Sequence, residues 1–426
     1  MRTIIMAGGK GTRISSISSA IPKPMIKVCG KPILEHQIEC LKRNSLIDII
    51  LVVGHLNENI KEYFGDGNRF GCSISYYTEV EPLGTAGALF KIGGLKEDFV
   101  LINGDIIFDI NFLKFINFHK INNALISLAV HPNNHPFDST LIVCNKKNQI
   151  ISLLNKDEER TYYRNLVSSG INILSSELLN ILYFNKEKIN FDQDILESTI
   201  HTGRVFGYQT PEYIKDMGTP ERYTQVSQDF ENNVISNRNL KFKQKCIFLD
   251  RDGTINELNG FITKPEDFKL INGVAESIKT INDMGFLVIV ITNQPIIARG
   301  DIDIETLDLI HMKLETELGN KGAFIDAIYY CPHHTDKGFE GERKEYKIDC
   351  ECRKPKPGMI LKAARIFNID LKQSYMVGDN MCDVIAGISA GCNPVFLTNN
   401  KPFALLENIS NLKIYKDLKE FINSFI

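Results

Sequence analysis

Residues 246–254 read Cys246-Ile247-Phe248-Leu249-Asp250-Arg251-Asp252-Gly253-Thr254. Four apolar residues, the length of a short buried strand, run directly into a turn that carries two carboxylates and a glycine. A strand points alternate side chains to one side, so Asp250 and Asp252 can converge on one reacting group. The start of the chain repeats the plan: Thr3–Met6 leads into Ala7-Gly8-Gly9-Lys10-Gly11-Thr12-Arg13. Outward from these openings, strand-like runs at 49–53, 73–77, 99–102 and 124–130 alternate with helical runs at 33–44, 57–64, 86–92 and 111–119. The second half does the same, with strands at 286–291, 327–330 and 375–377 and helices at 274–284, 304–318, 359–367 and 383–390. Such alternation implies βαβ units, mainly parallel sheets, and ligands at the carboxyl ends of strands. The expected fold class is α/β, with domains at 1–232 and 246–426. Between them, 233–245 is polar and has no sustained period, which reads as a linker.

Length and composition agree. The 426 residues are well beyond the ~150 of one typical domain, and 43% hydrophobic with 24% charged residues is ordinary globular composition. A net charge of -3 gives no strong field toward nucleic acid or acidic lipid, so neither is an expected partner. Apolar runs are far short of the ~20 residues that cross a bilayer, and the first residues run into glycines without a signal-type cleavage site. A soluble, cytoplasmic protein is expected. Seven of the ten cysteines stand singly and read as free thiols; Cys331, Cys350 and Cys352 are grouped near histidines.

In the first half, Gly8, Gly9 and Gly11 let backbone N–H groups approach phosphate oxygens, Thr12 belongs to the same turn, and Lys10 and Arg13 add charge. The Gly-Lys-Ser/Thr ending of a P-loop is missing, and alone the turn is equally compatible with an ordinary tight turn. Lys23 sits between Pro22 and Pro24 as a second cation. Asn103-Gly104-Asp105 closes an apolar strand, and Asp216 follows far along the chain; two carboxylates plus substrate phosphates meet the needs of Mg²⁺. Glu81-Pro82-Leu83-Gly84-Thr85 is a further glycine turn, suited to holding a flat base against backbone.

GGKGTR, PKP, EPLGTAGAL, NGD, SSGINIL and DMGTPERY, in this order over residues 1–228, resemble the sugar-1-phosphate nucleotidylyltransferase family. The stretch 131–139, HPNNHPFDS, is most similar to its members that make GDP-D-glycero-D-manno-heptose. The resemblance implies a Rossmann-like domain in which a sugar 1-phosphate attacks the α-phosphorus of a nucleoside triphosphate with Mg²⁺. Arg13 and Lys23 would hold phosphates, Asp105 and Asp216 the metal, Gly84 and Thr85 with Glu81 and Asn103 the nucleotide, and Gly170 and Asn172 the sugar nucleotide. The chain departs from the family at Asn155-Lys156-Asp157 and Phe191-Asp192-Gln193-Asp194, places that tend to face the sugar phosphate.

In the second half, the Asp250 turn alone could be a plain turn or a calcium-loop fragment. It is joined by Thr292-Asn293-Gln294, by Arg353-Lys354-Pro355, and by Gly378-Asp379-Asn380-Met381-Cys382-Asp383. A nucleophile, a hydroxyl and amide, cations and metal-type acids form a phosphotransfer set. The set resembles the haloacid dehalogenase superfamily, with a Rossmannoid fold. The resemblance implies that Asp250 forms an aspartyl-phosphate and Asp252 is acid then base. Thr292 and Asn293, with Arg353, would bind the phosphoryl group, and Lys354 would offset its charge. Mg²⁺ would lie on Asp250, Asp252 and Asp379, with Asp383 a direct or indirect ligand.

Cys331, His333, Cys350 and Cys352 give a Cys₃His set suited to structural Zn²⁺ in a small loop, with His334 an alternative to His333. Their spacing before Arg353-Lys354 is similar to that of the heptose-bisphosphate and histidinol-phosphate phosphatases, although Pro295 stands where a serine is usual. Together the halves imply a bifunctional enzyme acting on heptose phosphates and a nucleoside triphosphate, GTP first among them. A hexose-1-phosphate transferase joined to another small-molecule phosphatase, or a non-catalytic sugar-nucleotide sensor, are the alternatives. The nucleobase, the anomer and association into a homo-oligomer stay open.

Overall fold

The computed structural model describes residues 1–8, 21–54, 56–399, 409 and 411–425. Contacts divide the chain into two units: Met1–His131, Thr140–Leu154 and Val167–Asn239 form the first, and Pro132–Ser139, Asn155–Leu166 and Leu240–Ile426 the second.

The first unit is built on a nine-stranded sheet. Thr3–Met6 lies at its centre, parallel to Asp48–Val53 on one side and to Phe99–Asn103 on the other. Ser73–Thr78 continues the parallel half. Beyond Phe99–Asn103 the strands Val167–Leu174, Leu141–Cys144 and Ile150–Leu154 pair antiparallel, so the sheet is mixed rather than mainly parallel. Leu141–Cys144 and Ile150–Leu154 are joined by the short turn 145–149, which leaves no room for a helical crossover. The central strand residues Ile4, Ile5, Leu51, Val100 and Ile102 are essentially inaccessible, as expected of strands covered on both faces. The expected helix at 86–92 is reduced to the 3₁₀ turn Gly87–Phe90, in a stretch rich in glycine. The chain leaves the central strand toward one neighbour and returns on the other side, which opens a crevice beyond Met6 and Asn103.

The second unit holds a six-stranded, fully parallel sheet in the order Ala327–Cys331, Leu287–Asn293, Cys246–Leu249, Tyr375–Gly378, Asn393–Leu397, Lys413–Tyr415. Its core strands are continuous apolar runs, with Ile247, Phe248, Val288, Ile289 and Val377 fully buried. The same switch occurs here, between Leu287–Asn293 and Tyr375–Gly378 on either side of Cys246–Leu249. The residues following these three strands therefore meet at one end. The helix Ile304–Asn320 also belongs to this unit, and Arg164 pairs with its Asp308 and Glu315.

The stretch expected as a solvated linker is ordered. Val234–Asn237 is helical, and Ile235, Arg238, Asn239 and Leu240 are buried. Of its few apolar residues Ile235 and Leu240 are covered while Phe242 stays exposed, a pattern too sparse to register as a period. No helix among the described residues is long and apolar enough to cross a membrane.

Candidate active sites

In the second unit, Asp250 follows the central strand and accepts from Lys354 Nζ at 2.6 Å. The same ammonium reaches Asp383 at 2.5 Å and the Ile291 carbonyl at 2.7 Å. Lys354 is only 3% exposed, so its three hydrogens are all placed on protein acceptors. Asn293 fixes its backbone from both directions: Asn293 Nδ2 donates to the Lys354 carbonyl, and Lys354 N donates to Asn293 Oδ1, each at 3.0 Å. Thr292 Oγ1 accepts from Gln294 Nε2 at 2.9 Å. Asp383 is held at the third position of the helix Met381–Ala390 by a capping box with Asn380.

Asp250, Asp379 and Asp383 each bring a carboxylate oxygen within 4.8 Å of the others. An all-oxygen donor set from the ends of two strands and the first turn of a helix fits Mg²⁺. Asp252 is not part of this trio. Its carboxylate lies in the fork of Arg251, at 2.9 Å from Nη2, and also accepts from Gln294 at 2.8 Å and Asn256 at 3.1 Å. The Asp252 carboxylate is thus held by charge-assisted hydrogen bonds of its own, outside the trio of clustered carboxylates. Burial, with the neighbouring Asp383 carboxylate, pushes Asp250 up to about 7 despite Lys354. Burial opposes the Lys354 charge, yet Asp250 and Asp383 outweigh it and hold the ammonium above its usual range.

Cys331, Cys350 and Cys352 converge: the Cys331–Cys350 sulfurs are 3.5 Å apart, and Cys352 lies 3.2 Å from each. His333 Nδ1 is 3.3 Å from Cys352 and 3.6 Å from Cys331. Donors bound to one tetrahedral Zn²⁺ at ~2.3 Å would be about 3.7 Å apart, so the set fits with a few tenths of an ångström of expansion. His334 faces elsewhere, its Nδ1 accepting from Asp336 N at 3.1 Å. Hydrogen bonding from Cys331 pulls the Cys352 thiol down to about 5, which supplies a thiolate for a soft cation. Arg353, next in the chain, donates to the His333 carbonyl at 3.1 Å.

In the first unit, Asp105 and Asp216 lie at the ends of an antiparallel pair, Ile106–Asp109 with Tyr213–Asp216. Met217 N donates to the Asp105 carbonyl at 2.8 Å, which keeps the two acidic positions side by side. Lys23 Nζ reaches Asp105 at 2.5 Å, and Arg222 reaches Asp216 at 2.6 Å. Gly84 has φ +85, and a Cβ there would lie 2.5 Å from the Ile189 carbonyl oxygen, so only glycine fits. Thr85 Oγ1 accepts from Phe191 N at 2.8 Å, which ties this turn to the Phe191–Leu196 segment. A Cβ on Gly170 would strike the Asn103 amide, which brings these two candidates together. Asn172 is 3% exposed, and its side-chain oxygen is buried with no partner. Gly8 packs against Glu79, and Glu81 is exposed. Gly9, Gly11, Thr12 and Arg13 lie outside the described residues.

Comparison with known proteins follows the same division. The nucleotidyl transferase family matches residues 2–233, more than half of the chain, and the haloacid dehalogenase-like hydrolase family matches residues 197–391. A Pasteurella multocida protein named D-glycero-beta-D-manno-heptose-1,7-bisphosphate 7-phosphatase is 40% identical over 188 residues, covering 41% of this chain and 99% of the relative. The chain belongs to both families. Among solved structures, HddC from Yersinia pseudotuberculosis complexed with GMP-PN is 27% identical, with a TM-score of 0.47, covering 54% of this chain and 99% of that one. A D,D-heptose 1.7-bisphosphate phosphatase from B. bronchiseptica, complexed with magnesium and phosphate, is 32% identical, with a TM-score of 0.38, covering 43% and 98%.

Several site neighbours were not legible beforehand. Gln294 and Arg222 sat inside quoted motifs without a role, and their charge and amide character were the available signal. Asn256, Glu79 and His311 carried none, because their partners come from distant segments or from backbone turns.

The raised Asp250 carboxyl sets a pH dependence. Between about pH 4 and 7 the folded protein keeps a proton that the unfolded chain has released, so this group's contribution to stability falls as pH rises. Without added divalent cation, the stability of Asp250→Asn relative to wild type should therefore improve from pH 5 to pH 8 in urea denaturation. A pH-independent difference would contradict the charge arrangement.

Proposed function

We propose that the second unit removes the 7-phosphate of D-glycero-D-manno-heptose 1,7-bisphosphate and that the first transfers GMP from GTP to the resulting heptose 1-phosphate, releasing pyrophosphate. The catalytic domains are 1–232 and 246–426, with 233–245 between them. The observation that carries the reading is the buried Asp250–Lys354–Asp383 cluster, in a chain that also contains a transferase-family segment whose acceptor would be the phosphatase product.

The steps follow from the residues. The Asp250 carboxylate attacks the phosphorus of the 7-phosphate, and Asp252 gives a proton to the departing O7. Thr292, the Asn293 backbone region and Arg353 bind the phosphoryl oxygens, while Lys354 balances the charge on Asp250 as it is esterified. Asp252 then takes a proton from water as the water attacks the aspartyl-phosphate, and orthophosphate leaves. When bound by Asp250, Asp379 and Asp383, Mg²⁺ supplies charge neutralisation for the transferring phosphoryl group. In the first unit, Lys23 and Arg13 hold the triphosphate and Gly84–Thr85 the base. Asp105 and Asp216 would hold a divalent cation there. The sugar phosphate oxygen attacks the α-phosphorus and pyrophosphate departs in line, with positioning as the main contribution. The unpartnered Asn172 oxygen, beside Gly170, suits a sugar hydroxyl as donor.

Two tests follow. Asp250→Asn should lower phosphate release by at least a thousandfold with nucleotidyl transfer to supplied heptose 1-phosphate within twofold of wild type, and Asp105→Asn should do the reverse. Loss of both activities in a folded variant would sink the two-site reading. For the thiol cluster, metal analysis should find one zinc per chain, and Cys350→Ser should remove it together with most phosphatase activity. A zinc-free wild type of full activity would overturn that role.

A further inference from the structure

Arg251 is 1% exposed and commits Nε and Nη2 to Asp252, at 3.1 and 2.9 Å. Its remaining terminal nitrogen, Nη1, meets Nε2 of His311 at 3.3 Å. His311 is also 1% exposed, midway along the helix Ile304–Asn320, with its ring 5.7 Å from that of Tyr330. Asp308, His311 and Glu315 are three and four residues apart and share one helix face. Arg164 grips that face on both sides of His311, reaching Asp308 at 3.1 Å and Glu315 at 2.8 Å. The helix therefore has little freedom to move the imidazole away from Arg251. An arginine can only donate, so the nitrogen facing it must accept. Burial, reinforced by the Arg251 and Arg164 charges, holds His311 well below the usual imidazole range and so leaves that lone pair free.

We propose that His311 is a positioning residue for the phosphatase reaction: by accepting from Arg251 Nη1, it fixes the guanidinium fork that aims the Asp252 carboxyl at the leaving oxygen of the substrate. The proposal rests on the reading of Asp252 as the group that protonates that oxygen. Without His311, Nη1 has no acceptor there, and the fork can swing to find one. Asp252 then keeps its charge partner but loses its direction.

The test uses the full chain and kcat/KM, which reports the step that breaks the phosphoester. Heptose 1,7-bisphosphate has an alkoxide leaving group that needs a proton, whereas p-nitrophenyl phosphate has a phenolate that does not. His311→Leu should lower kcat/KM at least tenfold on the bisphosphate and less than threefold on the aryl ester. His311→Gln, which keeps an acceptor, should recover to within threefold of wild type. Nucleotidyl transfer by the same preparations should be unchanged. Equal losses on both esters, no loss on the bisphosphate, or a Gln variant no better than Leu would overturn the proposal. If His311→Leu does not fold, His311→Ala is assayed with added imidazole; rescue selective for the bisphosphate supports the proposal, and no rescue overturns it. Asp252→Asn separates the two layers. If it lacks the same bisphosphate-selective loss, the acid assignment falls and takes the proposal with it; if it shows that loss and His311→Leu does not, only the role of His311 falls.

Discussion

A lysine ammonium locked between two carboxylates is the constraint on which the second unit turns. Lys354 touches Asp250 and Asp383 at 2.6 and 2.5 Å and is almost wholly buried. Buried charges are costly, and an ion pair in the interior seldom repays the loss of hydration in full. Here the surroundings supply the remainder. The Ile291 carbonyl takes the third hydrogen, Asn293 clamps the lysine backbone, and the capping box fixes Asp383. The arrangement leaves an excess of negative charge at the ends of two strands and the first turn of a helix, which a divalent cation and a phosphoryl group together can balance. Stability is given up locally for reactivity, as is common where function needs charges in a dry place.

The thiol cluster lies on the same loop as this lysine. Cys350 and Cys352 lie just before Arg353 and Lys354, and their sulfurs are gathered with Cys331 at the end of a sheet strand. A metal ion held by these residues would cross-link the loop and restrict the lysine further. The first unit handles charge differently. Asp105 and Asp216 are more than a third exposed and paired with Lys23 and Arg222. Such exposed pairs contribute little to stability and can be exchanged for a cation and phosphates at small cost.

Most of this was legible in the chain itself. Apolar tetrads running into acidic turns fixed the strand ends, and the order of the polar turns placed Asp250, Lys354 and Asp379 at one end of a sheet. Membership of the thiol set followed from spacing, whereas the choice of His333 over His334 needed the geometry. What sequence could not show was set by tertiary contact. The pairing direction of Leu141–Cys144 and Ile150–Leu154 is set by their partner strands, which an apolar run alone does not name. Asp252 was expected among metal ligands; its carboxylate lies in the fork of the buried Arg251, a contact that adjacency in sequence did not suggest. The partition of 132–139 and 155–166 into the second unit left no trace in composition, because the anchoring pairs, Arg164 with Asp308 and Glu315, are about 150 residues apart.

The central claim is that one polypeptide carries out two phosphoryl-centred reactions in a fixed order. The most direct measurement is a phosphorus NMR time course of the purified chain with heptose 1,7-bisphosphate, GTP and Mg²⁺. The account predicts that orthophosphate appears first, that pyrophosphate and a GDP-sugar follow in equal amounts, and that leaving out GTP halts the reaction at heptose 1-phosphate. A nucleotide sugar that still bears the 7-phosphate, or a bisphosphate left intact, would contradict it.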